Sequence, residues 1–474
     1  MRAPAVHAGP VWGPRLQTAS VLAAAALLAV VAGMEVAEGG DRLTPPLLGL
    51  VALAGAALLF SIPPDKLFLG WLLLAPLLQN SADESAIGRP LSFALYAAPA
   101  VVLAVLTLAN WRRRSDGGLV DLFPAAYVVY VFLSIAITTT LLQDELFGTG
   151  KVLFMTTALG AVVYYFLVFG PGRSIAAERI ARVLLLGALG QAILALVEWG
   201  SGWNLWGTSP WQYSDPPRAV ATLVSPPALG VFLGCGIVLA LAVIAWAGPV
   251  ELRRLSWLVV VLGLPALLVT YTRAPIVATA VVALGVLLLA RSARLVALGA
   301  VAVMALALVA VWPQLSASKL YETRIAESTN IAGRADIQDI SLKAAKAKPL
   351  TGWGYGSFDT AKVAEGASVD LRVQAALATS SHNGFLTVLV ELGGIGLALL
   401  LVPWVVIVVR GIGAIRRPTP ERWFAVACVA AVAVFALTAS ANDLRFFSIV
   451  YALPLLFLGL LRRSGSGGGE PFTS

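Results

Sequence analysis

ALGVFLGCGIVLALAVIAW, residues Ala228–Trp246, contains no charged residue. Its apolar side chains run continuously instead of alternating, which excludes a half-buried strand. At about 1.5 Å per residue a helix of this length spans roughly 28 Å, close to the hydrocarbon thickness of a bilayer. Similar runs lie on both sides of it. They are read at Ala19–Met34, Pro46–Ile62, Leu67–Leu78, Leu91–Ala109, Leu122–Leu142, Val152–Phe169 and Val183–Val197 before it. After it come Trp257–Tyr271, Ile276–Ala290, Leu295–Trp312, Gly394–Val409, Trp423–Ala439 and Phe447–Leu461. The expectation is an all-α polytopic membrane bundle of about fourteen transmembrane helices.

Composition agrees with this reading. Of 474 residues, 59% are hydrophobic and 12% charged, where a soluble domain carries about 25% charged residues. The net charge of +8 is not a nucleic-acid footprint once it is divided by side. An even number of spans puts both termini on one face, together with Arg112–Arg114, Arg253–Arg254, Arg416–Arg417 and Arg462–Arg463. That face totals +12 and the other −4, so the positive-inside rule makes it the cytoplasm. The third run is short, and if it is re-entrant the N-terminus moves outside. The first run lacks a small-residue cleavage site and reads as a retained anchor. No repeat of fixed period stands out. Cys235 and Cys428 both lie inside apolar runs and read as packing residues.

The division expected from these runs is 1–190 for N-terminal helices and 191–312 for helices with arginine-bearing outside segments. A large outside helical loop at 313–393 joins helices 11 and 12, followed by 394–463 for the C-terminal helices and 464–474 as a disordered tail. Function is sought in the outside segments 200–227 and 313–393, because the other loops are short. Within the larger one, Ile337, Ile340 and Ala344 recur at helical spacing in a helix over Ala335–Ala347, stopped by Pro349.

His382 is one of two histidines, and His7 lies in the cytoplasmic lead. A neutral imidazole can accept a hydroxyl proton near pH 7; the structural alternative is that His382 caps the next helix. Arg218, Arg273 and Arg445 sit at membrane depth or its rim, where an arginine normally has a partner or a task. Arg445 reads as an ion pair with Asp443 or Glu391. Arg218 and Arg273 either snorkel to the interface or bind an anion, and two on one face favour the anion. Glu198 can accept a hydrogen bond or assist as a base. Trp199, Trp203, Trp206 and Trp211 form an interfacial belt or a sugar-stacking surface. Gly352, Gly354 and Gly356 lack phosphate-loop spacing and read as tight turns, and Gly230 and Gly234 as a close helix contact. No metal constellation or cofactor motif is present in the sequence, so leaving-group charge is expected to fall to arginine.

The stretch Pro349-Leu-Thr-Gly-Trp-Gly-Tyr-Gly-Ser-Phe358, then His382-Asn-Gly-Phe-Leu386 and Glu391-Leu-Gly-Gly-Ile-Gly396, resembles the O-antigen ligase and O-antigen polymerase superfamily. Arg218–Gly230 is similar to that family's arginine-led segment and Thr270–Ala274 to its Ser-Arg-Gly turn, so the resemblance covers roughly residues 191–461. It implies a glycosyltransferase of the cytoplasmic (inner) membrane, with its active site on the outer face. Its donor would be a glycan linked to polyprenyl pyrophosphate, and its acceptor a hydroxyl on a glycan, lipid or protein. Arg218 and Arg273 would hold the pyrophosphate and His382 would act as base, with inversion and without a metal or cofactor. Asn383, Glu391, Glu198 and Arg445 would support them. The alternatives are a glycan polymerase of the same superfamily, a fourteen-span lipid-linked oligosaccharide flippase, and a peptidoglycan polymerase working through an outside aspartate.

Overall fold

The computed structural model describes residues 59, 61–78, 99–109, 118–142, 145–206, 210–214, 217–223, 225–290, 292–295, 328–366, 380–416, 419 and 421–465. The expected span Ala19–Met34, nearly all of Pro46–Ile62 and of Leu295–Trp312, the Arg112–Arg114 cluster and the tail beyond Gly465 lie outside them. Among the described residues every regular element is helical. These are α1 Pro64–Leu78, α2 Pro99–Ala109, α3 Phe123–Leu142, α4 Glu145–Val168, α5 Ala177–Ser201 and α6 Pro226–Ala245. They continue as α7 Val250–Leu268, α8 Arg273–Leu289, α9 Ser328–Ala347, α10 Phe358–Gly366, α11 Gly384–Ile415, α12 Arg422–Ala439 and α13 Ser448–Gly465. Five described stretches are long and apolar enough to cross a membrane: Leu119–Thr138, α5, α6, α11 and α12. The chain is a helical membrane protein.

The uncharged run Ala228–Trp246 becomes α6, the centre of the bundle. Ser225 starts it, accepting a hydrogen bond from the Ala228 N–H, and two prolines fill the first turn, where no N–H is needed. Being apolar on all sides, α6 is buried on nearly all of them, against α5, α7, α8 and α12. Gly230 and Gly234 face α8, where a Cβ at the first would strike Pro275 and at the second Thr279. Small residues here let two backbones approach closely. Cys235 on α6 and Cys428 on α12 are free and buried. The outward surfaces are apolar, with Val129, Phe132, Leu133 and Ile137 exposed on α3 and Trp257, Leu258, Val261 and Leu264 on α7.

Several boundaries differ from the sequence expectation: the helices read from Val152, Val183, Ala335 and Gly394 begin at Glu145, Ala177, Ser328 and Gly384. The helix read from Trp257 begins at Val250, because a helix need not stop where the apolar run does. Glu251, Arg253 and Arg254 continue it, which lengthens a segment that looked short for a bilayer.

Two ends can be told apart by their contacts. At one end Asp121 receives Arg462 at 3.0 and 2.8 Å and the Tyr164 hydroxyl at 2.6 Å, while Arg463 donates to the Gly172 carbonyl at 2.9 Å. These bonds fasten α13 to α4 and to the start of α3. The outside-assigned segments around Arg218, Thr270, Tyr355, His382 and Arg445 gather at the opposite end.

There α11 is interrupted. Gly393 has φ 63° and ψ −167°, a conformation open in practice only to glycine. The interruption frees backbone groups, and the Pro349–Gly354 segment takes them up. Gly394 N–H donates to the Pro349 carbonyl (2.8 Å) and Ile395 N–H to Leu350 (3.2 Å), while Trp353 and Gly354 N–H donate to the Val390 and Glu391 carbonyls (3.0 and 2.8 Å). Tyr130 of α3 donates to the Leu392 carbonyl at 3.2 Å. Gly352, at φ 70°, lies so close that a Cβ would collide with the Glu391 carbonyl, and one on Gly393 with that of Leu350. Gly393→Ala is therefore expected to cost about 3 kcal/mol or more, from strain and overlap together. Gly413→Ala, which meets nothing within 4 Å, serves as the neutral comparison. Thermal unfolding in detergent micelles checks this, and equal midpoints for the two variants would contradict it.

Candidate functional site

The site-bearing end is organised around a buried ion triad. Arg445, 1% exposed, donates from Nη1 to Glu391 Oε2 at 2.6 Å and from Nη2 to Asp443 Oδ2 at 2.8 Å, with Nε to Asp443 Oδ1 at 3.0 Å. Glu391 also accepts the Gly356 N–H at 3.0 Å, and Thr156 donates to the Arg445 carbonyl at 2.9 Å. The Tyr355 ring lies 5.4 Å from the Arg445 guanidinium, and the Tyr355 hydroxyl bonds Thr157 at 3.0 Å. Arg445 thus has both carboxylate partners that the sequence offered. Glu391 and Arg445 are consumed in holding α11, the 351–357 turn, α4 and the start of α13 together. Removing one member of such a triad leaves a buried charge uncompensated, at about 3–5 kcal/mol.

Glu198 is likewise committed. At the end of α5 it is 3% exposed, and it accepts the Val220 and Ala221 N–H groups at 2.9 and 2.6 Å and the Asn204 amide at 2.8 Å. It ties down the 204–221 loop that presents Arg218. Trp199, Trp203, Trp206 and Trp211 are at least about one-third exposed. Trp206 donates to the Leu77 carbonyl at 2.6 Å, and Trp211 lies 4.9 Å from the Arg218 guanidinium.

Arg218 reaches the turn between α7 and α8. Its Nε donates to the Thr270 carbonyl at 3.1 Å and its Nη2 to Thr272 Oγ1 at 2.7 Å, while Ala219 N–H donates to the Val269 carbonyl at 3.1 Å. The segments 218–221 and 269–273 are thereby one unit. Arg273, the first residue of α8, is exposed. Among the described residues it has no ion-pair partner.

His382 precedes α11 and is only partly exposed. The helix cap is its neighbour: Asn383 Oδ1 accepts the Phe385 and Leu386 N–H groups, both at 3.1 Å. Capping, the structural role considered for His382, thus belongs to Asn383, and among the described residues the imidazole makes no hydrogen bond. His382 has φ 54°, a left-handed conformation costing an L-residue about 1–2 kcal/mol. Among the described residues four non-glycine residues have positive φ, and three of them, Ala221, Tyr271 and His382, lie in the three loops just described. Strain of this kind collects at functional sites.

One residue of this site was not singled out in the sequence. Arg334 lies on α9, whose buried face of Ile337, Ile340 and Ala344 packs toward α10 and α11. Its guanidinium is held below its ordinary value by partial burial and then by the like charge of Arg273. His382 is held below the usual histidine value by burial first and by Arg334 second, with Asp443 opposing. Arg334 is therefore within electrostatic reach of both Arg273 and His382, and the two arginines make a cationic surface beside a neutral imidazole. Such a surface can bind a di-anion and accept a proton close to it. Among the described residues no group of three His, Cys, Asp or Glu side chains assembles as a metal site would require. With only two histidines in the chain, the imidazole can be titrated directly by NMR. His382 is expected to titrate below 6.5, and Arg334→Ala, by removing a positive charge, to move it upward. An unchanged or lowered value in the variant would contradict the placement of Arg334.

Residues 258–401 match the family model described as O-antigen ligase. No curated protein matches the chain. The matched segment contains Arg273, Arg334, His382 and Glu391 but not Arg218 or Arg445.

Proposed function

We propose that this chain, whose residues 258–401 match the family model described as O-antigen ligase, is an inverting, metal-independent glycosyltransferase of the O-antigen ligase and polymerase superfamily. It takes an oligo- or polysaccharide from a polyprenyl-pyrophosphate carrier and joins it to an acceptor hydroxyl at the outer face of the cytoplasmic membrane. The observation that carries this reading is the arrangement of Arg273, Arg334 and His382, an exposed cationic surface beside an imidazole kept neutral at pH 7. In this reading fourteen helices cross the membrane with both termini in the cytoplasm, and the 191–312 and 313–393 segments build the site.

The pyrophosphate rests against Arg273 and Arg218. Arg218 acts at least partly through the turn it holds, since two of its nitrogens already bond Thr270 and Thr272. The acceptor hydroxyl attacks the anomeric carbon from the face opposite the phosphate, forming the new C–O bond as the C1–O bond to phosphorus breaks. The leaving electron pair stays on the pyrophosphate, whose added charge the arginines offset. The hydroxyl proton passes to His382, whose lowered affinity for protons keeps it ready to accept one. Activity therefore declines as pH falls through the His382 value and is restored above it. Asn383, Glu391, Arg445 and Glu198 support the site by fixing its loops.

The test is transfer by the purified chain from an undecaprenyl-pyrophosphate oligosaccharide, with a lipid-core acceptor and a glycan acceptor in parallel arms. His382→Ala is expected to lower transfer by about 10²–10⁴. Arg273→Ala is expected to raise the donor KM by about 10- to 100-fold, the loss of one charged hydrogen bond. The productive acceptor separates ligase from polymerase. Full transfer without His382, or movement of the lipid across vesicles with no glycosidic bond formed, would overturn the proposal, the latter in favour of a flippase.

A further inference from the structure

Ser381 and Thr387 are fully buried, and their hydroxyls close a small ring around His382. Ser381 Oγ lies 2.8 Å from Thr387 Oγ1. Thr387 Oγ1 accepts the Ser381 N–H at 3.2 Å and donates to the Asn383 carbonyl at 3.0 Å. Ser381 Oγ accepts the Asn383 N–H at 3.2 Å and lies 2.7 Å from the Asn383 carbonyl. Every bond falls on residue 381 or 383, the two neighbours of His382, and none on the imidazole. The remaining bond, from His382 N–H to Ser380 Oγ at 3.4 Å, also uses only backbone of the histidine.

Such a ring has a specific consequence at a residue with φ 54°. A left-handed non-glycine residue persists only where its surroundings over-determine it. Without the ring, residues 381–383 can relax to negative φ, which swings the Cα–Cβ bond of His382 and carries the imidazole away from the cationic surface. Asn383 would still cap α11, so the helix need not move for the histidine to be lost.

We infer that Ser381 and Thr387 are positioning residues for His382, a pair of buried hydroxyls that clamp its backbone in the left-handed conformation and so aim the imidazole at the acceptor. This rests on the proposed role of His382 as the proton acceptor. Neither hydroxyl touches substrate, and the donor is held by arginines on other elements. The clamp therefore governs turnover and leaves donor binding alone.

The experiment uses the full chain in detergent micelles with the undecaprenyl-pyrophosphate oligosaccharide donor and whichever of the two acceptors is productive. Thr387→Val, isosteric but lacking the hydroxyl, is expected to lower kcat about tenfold with donor KM within about twofold of wild type. Thr387→Ser, which restores the hydroxyl, is expected to return kcat. Ser381→Ala should behave like Thr387→Val, and where it fails to fold Thr387→Val decides. In a His382→Ala background Thr387→Val is expected to cause no additional loss, because residues acting through one group are not additive. Wild-type kcat in Thr387→Val, or an equal further loss when His382 is already absent, would overturn the inference. If His382→Ala itself retains full transfer, the role of His382 fails instead, and the two failures are thereby distinguished.

Discussion

The interruption of α11 at Gly393 is the constraint on which the site-bearing end depends. A helix that breaks near the membrane exposes carbonyl and amide groups that lipid cannot satisfy, so the break survives only where protein covers it. Here the Pro349–Gly354 segment supplies the partners, and Gly352 and Gly393 permit the approach because neither carries a Cβ. Directly beside the break, Glu391 is held by Arg445, which also holds Asp443. One break therefore joins α11, the glycine-rich turn and the α12–α13 connection. It also sets the direction in which the first part of α11 presents Asn383 and His382.

The cations at this end divide into two kinds. Arg445 is buried and neutralised by two carboxylates, and its work is structural. Arg273 is exposed and, among the described residues, has no such counter-charge, while Arg334 is close enough to lower the proton affinity of His382. Concentrating positive charge near an imidazole has a cost for folding and a use for chemistry: it attracts an anionic group and keeps the base unprotonated. Strained backbone at Ala221, Tyr271 and His382 falls on the same three loops. Each is held by buried polar groups, among them Glu198, Arg218 and the Ser381–Thr387 pair, an arrangement suited to a pre-organised site.

Much of this was legible from sequence because it follows from local pattern. Uninterrupted apolar runs pointed to the helices, and the Gly230–Gly234 spacing to a close helix contact, whose partner the structure identifies as α8. The period of Ile337, Ile340 and Ala344 gave the buried face of α9, and the lone carboxylates near Arg445 gave its partners. Other features depend on non-local geometry. Arg334 lies just before the helix read at Ala335–Ala347 and drew no reading, since nothing in its spacing shows that it comes within electrostatic reach of Arg273 and His382. Gly352 read as part of a turn, yet its reason is a close approach to Glu391 and Gly393, some forty residues away. His382 was a plausible cap until the Asn383 amide oxygen was seen to take the helix N–H groups. The helix from Val250 was underestimated because apolar runs mark where lipid begins and not where hydrogen bonding stops.

The most direct measurement is a structure of the full chain in a lipid nanodisc with an undecaprenyl-pyrophosphate oligosaccharide bound. The expected result has phosphate oxygens within ion-pair distance of Arg273. The His382 imidazole, its backbone still left-handed, would stand beside the anomeric carbon on the face opposite the phosphate. A donor seated at the Asp121–Arg462 end, or a pyrophosphate bound away from Arg273 with His382 turned from the sugar, would contradict the account.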